Sequence, residues 1–180
     1  MREGCPAGSP FFMARTWGNP VLENIADRHW LPTDTAACLA IFDSNVPGFF
    51  AVSERDAFET HLRTMDPATY VVLLSDERIL ACGGLSVDAE AHRAILTWGM
   101  VDRAEHRKGL GRKLTEARLT LARRLPGITE VALATSQHTH AFYERFGFIA
   151  AAVTPDGFGD GLDRWDMVLR LQDRPGMLCT

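Results

Sequence analysis

A chain of 180 residues suits a single domain with one core, which at this length hides roughly 70% of the surface its unfolded form exposes. Apolar residues make up 46% and charged residues 23%, so neither intrinsic disorder nor a disulfide scaffold is indicated. The formal net charge of -4 supplies no basic field of the kind that non-specific binding to nucleic-acid phosphates needs, and a nucleic-acid partner is not expected.

Residues 1–24 mix Gly, Pro and Ser with isolated aromatics and show no clean period. They read as an N-terminal extension, flexible or irregularly packed, ahead of one domain over 25–180. Phe11, Phe12 and Met13 do not extend into a sustained apolar run, so no conventional signal peptide is expected. No later stretch reaches membrane-spanning length, so a cytoplasmic protein without a membrane partner is expected. A short strand fits 26–31, and Pro32-Thr33-Asp34 then offers a turn and an N-cap for a helix to about Phe42. A second helix fits 54–64, capped by Ser53, with Ala57, Phe58 and Leu62 at helical spacing.

The period then switches. Residues 70–74 and 79–85 read as strands joined by the polar Ser75-Asp76-Glu77-Arg78 turn, and 94–101 as a third, giving an antiparallel meander. A long helix follows over 109–125, with Leu110, Leu114, Ala117, Leu121 and Leu125 on one face and a stop at Pro126-Gly127. A short apolar strand at 131–135, a helix at 139–146 and strands at 148–153 and 166–171 complete the order. Between the last two, the glycine-rich segment 155–163 reads as a mobile loop. Cys5, Cys38, Cys82 and Cys179 are scattered without a Cys-x-x-Cys pair, so neither a zinc site nor a redox motif is indicated.

One segment concentrates chemistry. His106-Arg107-Lys108-Gly109-Leu110-Gly111-Arg112-Lys113 lies between a strand and the long helix, and holds the only two lysines of the chain. N–H groups at a helix start lack intrahelical partners and attract phosphate, glycines let the backbone approach an anion, and the flanking cations add charge. A dinucleotide fingerprint fails because Leu114 stands where its third glycine belongs, and a P-loop needs glycines farther apart. The alternative is a tight turn with a solvated basic face.

The same segment resembles the signature of the GNAT superfamily of acyl-CoA N-acyltransferases, Gln/Arg-x-x-Gly-x-Gly/Ala at the start of a helix, with His106 departing from the pattern at its first position. Downstream, Ala141-Phe142-Tyr143-Glu144-Arg145-Phe146-Gly147-Phe148 is similar to the family's second signature, a helix delivering Tyr and ending at Gly-Phe. The resemblance runs from about residue 25 to the end. It implies a mixed α/β (α+β) fold with a mainly antiparallel twisted sheet flanked by helices, and with strands four and five splayed to admit a pantetheine arm.

It further implies an N-acetyltransferase using acetyl-CoA as cosubstrate and a primary amine, small-molecule or protein/peptide, as acceptor. Pyrophosphate would lie on His106, Arg107, Lys108, Gly109, Leu110, Gly111, Arg112 and Lys113. Backbone groups of Met100 and Val101 would pair with pantetheine, Ser136 and Tyr143 would also touch the cofactor, and the Gly99 N–H would polarise the thioester carbonyl. Gly99 inside an apolar strand is itself a candidate bulge. A phenol can return a proton to a departing thiolate, which makes Tyr143 the expected general acid, against the alternative of a core tyrosine among Phe142, Phe146 and Phe148. For a base, the strand position that carries Glu in some relatives is Ile95, leaving Glu90, His92, His138, Asp163 and Asp166. No metal is expected, since His138 and His140 lack a third ligand. Asp156, Asp160 and Asp163 in the glycine-rich segment favour a cationic acceptor. A non-catalytic CoA-binding sensor or regulatory module and a plain scaffold are the competing functions, and a homodimer stays open.

Overall fold

The computed structural model describes residues 24–171. The extension at 1–23, together with Cys5 and Cys179, lies outside the described residues. Seven strands form one sheet: β1 (Ala26–His29), β2 (Tyr70–Ser75), β3 (Arg78–Asp88), β4 (Arg93–Val101), β5 (Glu130–Ser136), β6 (Ile149–Gly159) and β7 (Leu162–Arg170), in the order β1-β2-β3-β4-β5-β7-β6. Every neighbouring pair is antiparallel except β4 and β5. Four helices flank the sheet: α1 (Thr35–Ser44), α2 (Arg55–Thr64), α3 (Leu110–Arg124) and α4 (His140–Glu144). This is the mixed, mainly antiparallel architecture expected from the sequence. Among the described residues, no helix is long and apolar enough to cross a membrane.

The central strands are apolar on both sides because both faces are covered. In β2, Tyr70 and Val72 join Phe42 of α1 and Phe58 and Leu62 of α2 in one core, while Val71 and Leu73 join Leu110 and Leu114 of α3 in another. Phe42, Phe58, Tyr70 and Val72 are fully buried, each worth about 2 kcal/mol of apolar burial. A third core under β4, β5 and β7 gathers Ala94, Leu119, Val131, Phe148 and Met167.

Three expectations are corrected. Asp34 precedes α1 as expected but does not cap it: its carboxylate accepts from Arg28 at 2.6 and 2.9 Å and from the Leu31 N–H at 2.8 Å. Ser53 does not cap α2 either. It falls within a 3-10 turn at Val52–Glu54, where Glu54 accepts from the Ala51 N–H at 2.7 Å. The glycine-rich segment 155–163 is the tip of the β6–β7 hairpin. Gly159 and Gly161 take φ of +132° and +73° to turn the chain, and Asp156 and Asp163 accept from the Gly161 and Asp156 N–H groups, at 2.6 and 3.1 Å. Those two carboxylates bind their own hairpin, as short polar side chains in turns do.

The buried stripe of α3 is also displaced from the apolar one read in the sequence. Leu110, Leu114, Thr115, Arg118, Leu119 and Ala122 are the buried positions, whereas Ala117, Leu121 and Leu125 pack only partly. An arginine occupies the middle of the core-facing row.

Candidate active site

The sheet opens at its centre. β4 and β5 pair only through Arg93–Glu130, Ala94–Val131 and Ile95–Ala132. Beyond that point β5 stays with β7 as far as the Ser136–Arg164 pair, and β4 stays with β3 as far as Val101–Ala81, so the two strands diverge. The edge of β4 from Leu96 onward is left without a β5 ladder, a row of backbone groups able to receive an added extended segment.

A bulge accompanies the opening. Cys82 pairs with Met100 and Gly84 with Thr97, leaving Gly83 opposite both Trp98 and Gly99. Gly99 therefore lies in a bulge as the sequence suggested, but the residue in the left-handed region is Trp98, at φ +43°. A bulky residue holds that conformation only when its surroundings fix it. Here the Trp98 ring packs on Phe58, Phe50 and His61 at centroid distances of 5.1, 6.1 and 6.3 Å. Its carbonyl accepts a 3.1 Å hydrogen bond from the Tyr70 hydroxyl. Burial drives the Tyr70 hydroxyl well above the ordinary phenol range, so it stays a donor.

Beside the opening, α3 begins at a cradle. Gly109 is in the left-handed region at φ +92°, and no side chain caps the helix. The N–H groups of Leu110, Gly111 and Arg112, as the first of the helix, have no intrahelical partners. Gly111 has ordinary backbone angles, and a Cβ there would meet only Phe142 Cζ at 3.8 Å. Gly109 thus serves conformation while Gly111 serves clearance. The two glycines floor a cleft of about 440 Å³, with Arg107, Arg112 and Arg145 around it and Phe142 and Phe146 on the facing wall. Such a cleft suits a phosphate chain leading toward the β4 edge.

The other cations of the segment turn elsewhere. His106 Nε2 lies 3.0 Å from the Val101 carbonyl, Lys108 pairs with Glu105 at 2.8 Å, and Lys113 donates to the Ile25 carbonyl. Val101 is therefore partly committed, because Asn45 Nδ2 also donates to its carbonyl, at 2.8 Å. Met100 is buried beside it and Gly99 is exposed.

Tyr143 sits on α4, half-buried, with its ring against Phe142 and Phe148 at 5.0 and 5.8 Å. Its hydroxyl has no hydrogen bond among the described residues. Ser136 ends β5, where its Oγ receives the His138 N–H at 3.4 Å. Of the candidate bases, Glu90 and His92 lie at the closed end of the β4–β5 pair, about 20 Å of strand from Gly99. His92 Nδ1 is also 3.0 Å from the Gly127 carbonyl. Asp163 is used by the hairpin, Asp166 is paired to Arg164 at 2.8 Å, and His138 is exposed. Among the described residues, no group of three or more His, Cys, Asp or Glu side chains converges on a metal position.

Four residues at the opening escaped the sequence reading. Arg145 carries no signal beyond its place in the second signature. Tyr70 is indistinguishable from any strand aromatic. His61, on α2, turns its ring toward Tyr70 and Trp98, with Nε2 enclosed and unpartnered, and burial lowers its pKa from the ordinary histidine range. Arg118 is 3% exposed and its Nε has no partner.

Comparison with known proteins adds the following. A family model described as the Acetyltransferase (GNAT) family matches residues 36–148. The ribosomal-protein-S18-alanine N-acetyltransferase of Escherichia coli superposes with a TM-score of 0.67 at 21% identity, over 87% of this chain and 99% of that one. A structure from Desulfovibrio desulfuricans assigned to the GNAT family gives 0.64 at 29% identity, over 81% and 98%. The yncA structure from Salmonella typhimurium, determined with its cofactor acetyl-CoA, gives 0.66 at 22% identity, over 87% and 99%. No curated protein sequence gives a significant match.

Proposed function

Because this chain belongs to the GNAT acetyltransferase family, we propose that it transfers an acetyl group from acetyl-CoA to a primary amine, by direct attack of the amine on the thioester. The observation that carries this reading is the alignment of two features: the parting of β4 from β5 after Ile95 and Ala132, and the uncapped helix start at Gly109 beside it. Acetyl-CoA supplies an activated acyl carbon. The residues present fit it: free N–H groups at the α3 start for phosphate, Arg107, Arg112 and Arg145 for charge, and the β4 edge at Met100 for the pantetheine amides, with Val101 beside it already taking His106 and Asn45 on its carbonyl. Gly99, exposed at the bulge, offers its N–H where a thioester oxygen would gain charge. Tyr143, with an uncommitted hydroxyl, returns a proton to the departing thiolate.

The acceptor is a small-molecule or protein/peptide amine. Thiol release measured with acetyl-CoA across a panel of amines tests the proposal. Amine-dependent release is expected, and acetyl-CoA binding without release under any amine would instead make the chain a CoA-binding module.

A further inference from the structure

Arg118 is the most anomalous side chain of the described molecule. It is 3% exposed, it forms no ion pair or hydrogen bond among the described residues, and its Nε is sealed from solvent. A guanidinium is a permanent cation, and an unpaired charge inside a protein is destabilising. An apolar side chain would fill the same space in the core-facing row of α3 at no such cost.

The surroundings are shaped to the head group. A Cβ on Gly99 would clash with Arg118 Nη1 and fall 2.8 Å from Cζ and Nη2. A Cβ on Gly83, across the ladder, would lie 2.9 Å from the Gly99 Cα and 3.3 Å from Arg118 Cδ. Two glycines from neighbouring strands thus vacate the volume that the guanidinium enters, at the bulge and beside the strand opening. Gly99 itself is exposed, so one backbone residue separates the buried cation from anything that enters the opening.

The geometry points to Arg118 as the residue that stabilises the negative charge formed at the thioester during acyl transfer. The inference rests on the acyl-transfer reading and deepens it. As the amine nitrogen bonds to the acyl carbon, the carbonyl pair moves onto oxygen. It then returns as the C–S bond breaks, sulfur leaves with the bonding pair and takes a proton, and the amine gives up one proton to solvent. Both charged atoms arise beside Gly99, where the guanidinium is fixed and poorly solvated.

The test uses the full chain with an amine it accepts, and compares wild type, Arg118→Met and Arg118→Lys by kcat, acetyl-CoA affinity and thermal melting. Arg118→Met is expected to lower kcat about 10²-fold with acetyl-CoA affinity unchanged. It should also melt higher than wild type, since an unpaired buried cation is gone. Arg118→Lys should recover part of the lost turnover. Unchanged kcat per folded molecule in Arg118→Met, or a loss confined to acetyl-CoA affinity, overturns the inference while leaving the acyl-transfer reading intact. A wild-type preference for succinyl-CoA over acetyl-CoA that vanishes in Arg118→Met also overturns it, by making the partner a permanent carboxylate. A wild-type chain that releases no thiol with any amine sinks the acyl-transfer reading and this inference with it.

Discussion

The Tyr70 hydroxyl donates to the Trp98 carbonyl oxygen at 3.1 Å, joining the first residue of β2 to the left-handed residue of the β4 bulge across the intervening strand. Replacing Tyr70 with Phe leaves the ring packing in place but strands that carbonyl, at a cost of about 2 kcal/mol. Urea denaturation should register this loss, and kcat should fall with acetyl-CoA affinity preserved, because the bulge orients the reacting groups. Wild-type stability in Tyr70→Phe would mean that the aromatic cluster alone holds Trp98.

Tyr143→Phe removes a hydroxyl that has no partner among the described residues, so the melting temperature should hardly move. If Tyr143 is the general acid, kcat should drop about 10² to 10⁴-fold with CoA affinity unchanged. A destabilised variant of normal turnover would restore the core-tyrosine reading.

The two glycines of the cradle should separate in mutagenesis. Gly109→Ala places a Cβ on a residue at φ +92°, costing about 1 kcal/mol of stability. Gly111→Leu meets open cleft beyond the 3.8 Å contact with Phe142, so the chain should fold normally and lose CoA affinity. Calorimetry on both variants checks this, and wild-type affinity should weaken as salt is raised, because Arg107, Arg112 and Arg145 attract phosphate through solvent-screened charge. Wild-type affinity in Gly111→Leu would move the phosphate site elsewhere.

Asp34 is held below the ordinary carboxylate range chiefly by its hydrogen bonds from Arg28, assisted by the Leu31 N–H. A depressed folded-state pKa contributes stability that is present above the unfolded value of about 3.9 and is lost as pH falls through the folded value. Asp34→Asn should therefore cost about 1 to 2 kcal/mol at pH 7, discounted because the Arg28 side chain is 37% exposed. The gap between variant and wild type should close in strong acid, as denaturation curves across pH would show. A gap that persists there would assign the loss to packing.

His61 carries the opposite chemistry to the same sign. Burial lowers its pKa, so the native state resists protonation, and stability falls as pH drops through the unfolded histidine value of about 6.5. His61→Phe should flatten the stability profile between pH 7 and 5, and an unchanged slope would place the acid sensitivity on other groups.

Local rules sufficed wherever an element announces itself by period and punctuation. The β2–β3–β4 meander, α3 with its glycine-rich start and the Gly-Phe ending after α4 follow from residues within a few positions of one another. So does the candidate phosphate cradle, because a helix start needs only its own glycines to be legible. At the hairpin tip 155–163 the three glycines signal freedom in the sequence, whereas in the fold Asp156 and Asp163 use the turns those glycines permit to tie the strands together.

By itself the sequence determined the order of strands and helices and the glycine-rich helix start that offers a candidate anion cradle, since both depend on short-range patterning. Tertiary structure alone decided which side chains meet at the opening. Arg118 continues the row Leu110–Leu114 to Ala122 at helical spacing, yet a charged residue is read as solvent-facing until two glycines on other elements, Gly83 and Gly99, are seen to make room for it. Gly83 lies on β3 and Gly99 on β4, and only the bulge that sets one residue against two brings them together over that guanidinium. The same holds for Tyr70, His61 and Trp98, whose meeting depends on α2 packing against the sheet. Contacts between distant segments are fixed by the burial of whole faces, and no window of sequence contains that information.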